Sequence, residues 1–403
     1  MAFIGSRCDS WVRWVPWCAR LEIVSVVTMT DELLALVDHH VHGAAVGPLD
    51  GPDIEWMLTE AEAPPPPGTT MWDTPLGFAI RRWCAPLLDL EASVPAAQYV
   101  ARRAELGADE VNRRFLTAAH VDAWLVDTGY LSDRVMTPGQ LAAASGAAAR
   151  EIVRLEALAE RVVVAGGGAA GFAAGFAAAL EAAFAAGAVG HKSIVAYRYG
   201  LDFDPAEPSG AEVASAAGRW LAAIEADPAA LRLDDPVLLR HLIWAAIRTG
   251  RPLQFHVGLG DPDARLHRAD PGHLHDFLLA SQDAGAPVML LHCYPYHRQA
   301  ACLASVFPHV YLDVGEALNH VGASSAAVLA EALEVAPFHK QLYSSDAYGL
   351  AELHYLGAAG FRRDLDRVIS GFVADGAWSR GDGDRVAQLI GAQNARRVYG
   401  LDA

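Results

Sequence analysis

A chain of 403 residues is too long for one small core and suits either one large α/β barrel with insertions or two ordinary domains. Hydrophobic content of 53% with 20% charged residues excludes a disordered polypeptide, and a net charge of -17 leaves no basic surplus with which to neutralise nucleic-acid phosphates. Cys8, Cys18, Cys84, Cys293 and Cys302 are odd in number and show no C-x-x-C spacing, which excludes a disulfide framework and a zinc-finger-type site and points to a reduced, cytoplasmic protein.

Residues 1–28 interleave Trp11, Trp14 and Trp17 with Arg7, Arg13 and Arg20. Charges interrupt every apolar run, so this stretch is neither a signal peptide nor a membrane span, and no membrane role is expected. Met29-Thr30-Asp31-Glu32 reads as a fresh start. The expected division is an extension over 1–28, non-native or loosely docked, ahead of a single barrel over 29–403.

Leu33-Leu34-Ala35-Leu36-Val37 is short and apolar and reads as a buried first strand, delivering Asp38-His39-His40-Val41-His42 at its end. Strand side chains alternate, so His40 and His42 point the same way and can share one ion while Val41 turns into the packing. Taken alone, the pair fits an ordinary polar rim equally well. A long insertion with Pro64-Pro65-Pro66-Pro67-Gly68 follows, placed where a lid, a substrate wall or a plain surface insertion would lie.

Helical patterns run over 78–88, 95–104 and 109–118, and Val121 to Asp127 reads as a second strand with Asp127 at its end. After a helix over 138–149, Ile152 to Glu156 reads as a third strand or as more of that helix. Phe172, Phe176, Leu180 and Phe184 recur every four residues as one apolar helix stripe. The adjacent Gly166-Gly167-Gly168 lacks the spacing of a nucleotide fingerprint. The fourth strand is expected over His191 to Arg198, followed by a helix over 232–249. The fifth, Pro252 to Phe255, ends at His256, and the sixth, Pro287 to Leu291, ends at His292. Val310 to Val314 is the seventh, and Gln341 to Ser345, stopping at Asp346, is the eighth. Eight βα units without a composition break predict an α/β (β/α)8 TIM barrel with an inserted loop and helical region after strand 1.

In such a barrel the C-terminal strand ends line one mouth. His40, His42, His256, His292 and Asp346 therefore converge there. Imidazoles and a carboxylate suit Zn2+, with Fe, Mn or Co also compatible. Asp346, a ligand through one oxygen, can serve as the base that takes a proton from water, and His292 can polarise a carbonyl or bind a second ion.

These residues carry a resemblance to the amidohydrolase superfamily of metal-dependent hydrolases, spanning essentially 29–403. Its H-x-H motif matches His40 and His42, and its later ligands match His256, His292 and Asp346. The ending Asn394-Ala395-Arg396-Arg397-Val398-Tyr399-Gly400-Leu401 is similar to the last helix of the branch that includes metal-dependent decarboxylases. Lys192-Ser193-Ile194-Val195-Ala196-Tyr197-Arg198 and Tyr343-Ser344-Ser345-Asp346 resemble the amidohydrolase domains fused to, or encoded beside, glutamine-synthetase-like ligases.

The resemblance implies a metal-dependent amidohydrolase that uses metal-activated water to cleave the C–N bond of a small substrate, with a γ-glutamyl-type amide as the implied class. Non-oxidative decarboxylation of a carboxylic acid is the rival chemistry, and a catalytically silent barrel binding a partner ligase is the rival of another kind. A functional link to such a ligase and a homo-oligomer are both compatible with the chain.

Many binuclear relatives bridge two ions with a carboxylated lysine at strand four, for which Lys192 is the candidate. Its place at the start of the apolar run puts it on the far face, which favours one ion over two. Arg198, at the mouth end of that run, is a candidate to grip a substrate carboxylate or to form a structural salt bridge. Glu156, Glu316, Tyr348 and His354 are further candidates near the mouth, Glu156, Tyr348 and His354 for substrate contact, and each fits a supporting or surface place equally well, while His267, His273 and His275 read as solvated loop histidines.

Overall fold

The computed structural model describes residues 33–166 and 168–401, so the expectation for 1–28 lies outside the described residues. Seven parallel strands pair in sequence order: β1 (Val37–Val41), β2 (Ala123–Asp127), β3 (Ala148–Arg154), β4 (Gly190–Ser193), β5 (Leu253–Val257), β6 (Val288–His292) and β7 (Val310–Leu312). An extended segment over 341–346 fills the gap between β7 and β1. Leu342 N donates to Leu312 O at 3.0 Å, and His39 N donates to Tyr343 O at 3.1 Å. The eighth βα unit is thus present without a continuous strand ladder. The architecture is the expected α/β, TIM-barrel-like one, with the inserted helices Gly51–Trp56, Pro75–Ala79, Ala96–Leu106 and Ala108–Ala118 after β1.

Strand alternation divides the core. Val37, Leu125, Ile152, Met289, Leu291, Tyr311 and Leu342 fill the barrel interior, joined by Ala392, Ala395 and Tyr399 from the C-terminal helices. Outward-facing Val153, Leu253, Phe255, Val257, Val288 and Leu290 pack under the surrounding helices. The predicted stripe is one of these helices: Phe172, Phe176 and Leu180 of Phe172–Ala185 are buried, with Phe172 edge-on to Trp220 at 5.9 Å.

Three expected boundaries are corrected. β1 begins at Val37, so the histidines lie within and just beyond the strand rather than after it. β3 runs over Ala148–Arg154 and a helix starts at Leu155, which puts Glu156 in a first helical turn. The largest correction is at β4, which stops at Ser193. Glu156 Oε1 accepts from Ser193 Oγ at 2.8 Å and from Ile194 N at 3.0 Å, capturing the groups that would have continued the ladder. The apolar residues that read as strand, Val195–Arg198, form a short helix.

Candidate metal centre

Two backbone irregularities aim the histidines. Val37 lies in the interior cluster, so strict alternation would send His39 inward and His40 outward. A register shift between Asp38 and Val41 resets the phase, and both imidazoles reach the interior. His39 Nε2 donates to Asp313 Oδ2 at 2.9 Å, while His40 Nδ1 meets Gln254 Oε1 of β5 at 2.8 Å. On β6, Met289 and Leu291 face inward, so His292 would face out; its φ of 65° turns the chain and brings its ring within 5.4 Å of His40 and 4.9 Å of His256. Asp346 has φ 49°. Left-handed backbone at non-glycine residues costs about 1–2 kcal/mol each, and both positions aim a side chain into the same mouth.

The imidazoles converge on one carboxylate. Asp346 Oδ1 lies 3.0 Å from His40 Nε2 and 3.4 Å from His42 Nε2, and its Oδ2 lies 3.3 Å from His292 Nε2. One ligand atom each of His40, His292 and Asp346 falls within 4.8 Å of the others, as do those of His40, His42 and Asp127. His256 joins on the far side of His292, its ring 4.3 Å from Tyr197.

Tautomers follow from the acceptors behind the rings. Gln254 Nε2 donates to the His39 carbonyl at 2.7 Å, which fixes its amide so that Oε1 faces His40 and His40 carries its proton on Nδ1. His42 Nδ1 donates to the Asp127 carbonyl at 3.0 Å. Each ring therefore turns an Nε2 lone pair into the mouth, the arrangement that orients metal-binding histidines. His256 Nε2 and both nitrogens of His292 are buried without a hydrogen-bond partner. Buried polar atoms are normally satisfied, so this donor set fits a bound cation.

Electrostatics agree. Burial pushes His40 down to about 3 and His292 down to about 4, keeping both neutral as ligands must be. Burial alone would raise Asp346, but neighbouring His292 and His40 hold its carboxyl well below the usual range.

The expected far-face position of Lys192 is overturned. Because β4 is only four residues long, Lys192 lies at its mouth end, paired in register with Gln254, and its Nζ is 3.3 Å from His40 Nε2. Burial pushes its ammonium down to about 8. The reason for preferring one ion over two is thereby removed.

The remaining candidates separate. Arg198 pairs with Glu160 at 3.0 Å, the salt-bridge alternative rather than an open carboxylate clamp. Glu156 clamps the end of β4 as described, and burial raises its pKa. His354 is buried under β1 rather than at the mouth, its Nε2 2.9 Å from the His42 carbonyl and its ring edge-on to Trp124, because it stands on the long helix Ala351–Ala374 that packs there. Tyr348 is at the mouth, edge-to-face with Tyr130 at 5.8 Å, and Tyr130 lies 5.4 Å from His42. Glu316 Oε2 lies 4.0 Å from His292 Nδ1. His267, His273 and His275 are exposed after β5, as expected, although His275 opens the helix His275–Ser281 and the other two sit in short helical turns rather than in open loop. Cys293 packs in the outer core, among Leu290, Ala300 and Ala304 of the same cluster.

Sequence reading passed over four supports. Asp313 Oδ1 accepts from His292 N, Gly315 N and Ser344 Oγ at 3.0, 2.8 and 2.8 Å. Tyr399 accepts from Gln254 Nε2 at 2.8 Å and meets His39 Nδ1 at 3.1 Å. Arg154 grips Asp127 Oδ2 through Nε at 2.9 Å and Nη2 at 2.7 Å. Gln254 sits two residues before His256, and strand alternation alone would have flagged it.

Among the described residues no helix is long and apolar enough to cross a membrane. The fold resembles that of a provisionally assigned metal-dependent hydrolase from Lactobacillus casei ATCC 334, with TM-score 0.78 and 29% identity over 92% of this chain and 96% of that one. Glucuronate isomerase from Caulobacter crescentus shares the fold alone, with TM-score 0.62 and 15% identity over 93% of each chain. Protein fluG of Emericella nidulans is 33% identical over 227 residues, 53% of this chain, which spans 26% of that protein's length. The amidohydrolase family model matches residues 37–401, and the chain, with its barrel and its histidine-lined mouth, belongs to the amidohydrolase family.

Proposed function

We propose that this chain is a metal-dependent amidohydrolase that cleaves the C–N bond of a small amide. The observation that carries the reading is the convergence of His40, His42 and His292 on Asp346 at 3.0–3.4 Å, with the outer nitrogens of His40 and His42 held by Gln254 and Asp127. His40, His42, His256 and Asp346 would hold the ion, and Lys192, carboxylated, would be a further ligand if two are bound. Zn2+ suits the nitrogen and oxygen donors best, with Fe, Mn and Co compatible. When bound, the ion supplies Lewis acidity and lowers the pKa of water towards about 7.

The protein's own groups do the rest. Asp346, ionised at neutral pH, takes a proton from the attacking water and passes it to the leaving nitrogen. Neutral His292 donates to the carbonyl oxygen as negative charge develops there. Tyr348 and Tyr130 wall the mouth and orient the substrate. The resemblance of the strings around Lys192 and Asp346 to ligase-associated amidohydrolase domains supports a γ-glutamyl-type amide and a functional link to such a ligase.

The test is a product assay with metal-loaded protein on paired panels of N-acyl amines and carboxylic acids. Release of amine without CO2 is expected; CO2 without amine would replace hydrolysis by decarboxylation.

A further inference from the structure

Beside the ligand set, the insertion after β1 and the helix Gly315–Val321 after β7 bring three ionisable side chains together. One ligand atom each of Glu60, Glu316 and His320 lies within 4.8 Å of the others, with Glu60 Oε1 3.3 Å from His320 Nε2. Glu316 is 7% exposed in its side chain, and its Oε2 has no hydrogen-bond partner. Across from it, 4.0 Å away, is His292 Nδ1, also buried and without a partner.

Two carboxylates held this close in a largely buried place repel each other, and neither Glu60 Oε1 nor Glu316 Oε2 has a hydrogen-bond partner. A cation between them relieves both costs. The mouth beside the pair carries phenol rings, Tyr348 edge-to-face with Tyr130 at 5.8 Å and Tyr130 5.4 Å from His42, and phenol faces attract ammonium groups. Lys192 is turned to His40, its Nζ 3.3 Å from Nε2, and the guanidinium groups of Arg154 and Arg198 are engaged by Asp127 and Glu160.

We propose that Glu60 and Glu316 bind an ammonium group of the substrate, so that the amide cleaved carries a primary amine a few bonds from the scissile carbonyl. This rests on the reading of the mouth as a C–N hydrolase site and names its substrate class. An ammonium has three N–H donors, enough for the two carboxylates and the His320 imidazole. The spacer is short because one ring separates the two regions: His292 faces Glu316 through Nδ1 and lies 3.3 Å from Asp346 through Nε2.

Calorimetric titration of the metal-loaded full chain with n-butylammonium, and with n-butanol as the neutral counterpart, tests the proposal. Butylammonium is expected to bind about tenfold or more tightly than butanol, and Glu60→Gln and Glu316→Gln are each expected to remove about that factor. Should Glu316→Gln fail to fold, the more exposed Glu60→Gln decides. Equal binding of the two probes, or ammonium binding that survives in Glu60→Gln, overturns the proposal. Uptake of an additional divalent ion that competes with butylammonium and is abolished by His320→Ala also overturns it, making the cluster a metal site. Because the readout is binding, its failure is distinct from a failure of amide hydrolysis, which the product assay reads.

Discussion

His39 and His40 are neighbours in the chain, both buried, and they have opposite fates. His39 is satisfied on both sides, by Asp313 at 2.9 Å and Tyr399 at 3.1 Å. His40 is held on one side by Gln254 and turns its other nitrogen towards Asp346, His42 and Lys192. The layer beneath the mouth is a closed hydrogen-bond network; the layer at the mouth leaves donor atoms of His256 and His292 unpaired. Composition does not distinguish the two layers, since both are histidine and aspartate. What separates structure from function here is whether the second nitrogen has somewhere in the protein to go.

Substitutions should divide along that line. At the mouth, Asp346→Asn keeps the shape and removes the proton acceptor, so amide turnover should fall roughly 100- to 10,000-fold while the urea midpoint changes little. In the layer beneath, Asp313→Ala should instead cost about 3–5 kcal/mol of stability, since His39, His292 N, Gly315 N and Ser344 Oγ all lose their acceptor; equilibrium unfolding measures it. Gln254→Leu joins the two layers and should lower metal affinity or activity about 10- to 100-fold in a folded protein, as titration with a competing chelator would record.

A smaller effect is expected from pH. His40 and His292 have folded pKa values depressed to about 3 and about 4, below the unfolded value of roughly 6.5. The unfolded chain binds more protons in that window, so the stability of metal-free protein should be full above about pH 6.5 and fall as pH drops towards 4. Urea midpoints across that range check the sign; a midpoint that rises on acidification would contradict it. Smallest of all for activity, Arg198→Ala should leave KM unchanged in substrate kinetics, because the side chain pairs with Glu160 and the Leu233 carbonyl rather than facing the mouth.

Much of the barrel was legible because buried parallel strands are short apolar runs, and those expected to end at Asp127, His256 and His292 are strands at those positions within two residues at either end. Strand order and direction, which the topology reproduces, bring the five ligand-type residues to one end of the barrel; aiming His40, His292 and Asp346 inward takes the local irregularities. β4 misled because Ile194-Val195-Ala196 is apolar whether it continues a strand or starts a helix. What decides is a buried carboxylate from 37 residues upstream, Glu156 on Ser193, which local pattern cannot reveal. Lys192 was misplaced for that reason alone. The bulge in β1 and the left-handed turns at His292 and Asp346 are equally silent in sequence, since no glycine marks them. Glu60 was hidden in the insertion, where nothing in its neighbours indicates that it reaches Glu316.

The unpaired Nε2 of His256 and Oδ1 of Asp346, with His40 and His42 beside them, exist to hold a metal ion. Elemental analysis by mass spectrometry of the purified full chain, alongside a His40→Ala, His42→Ala double variant, tests it most directly. About one or two tightly bound ions per chain are expected in the wild type and almost none in the folded variant. A wild-type chain that stays metal-free after reconstitution with zinc, or a variant that retains the full complement, would contradict the account.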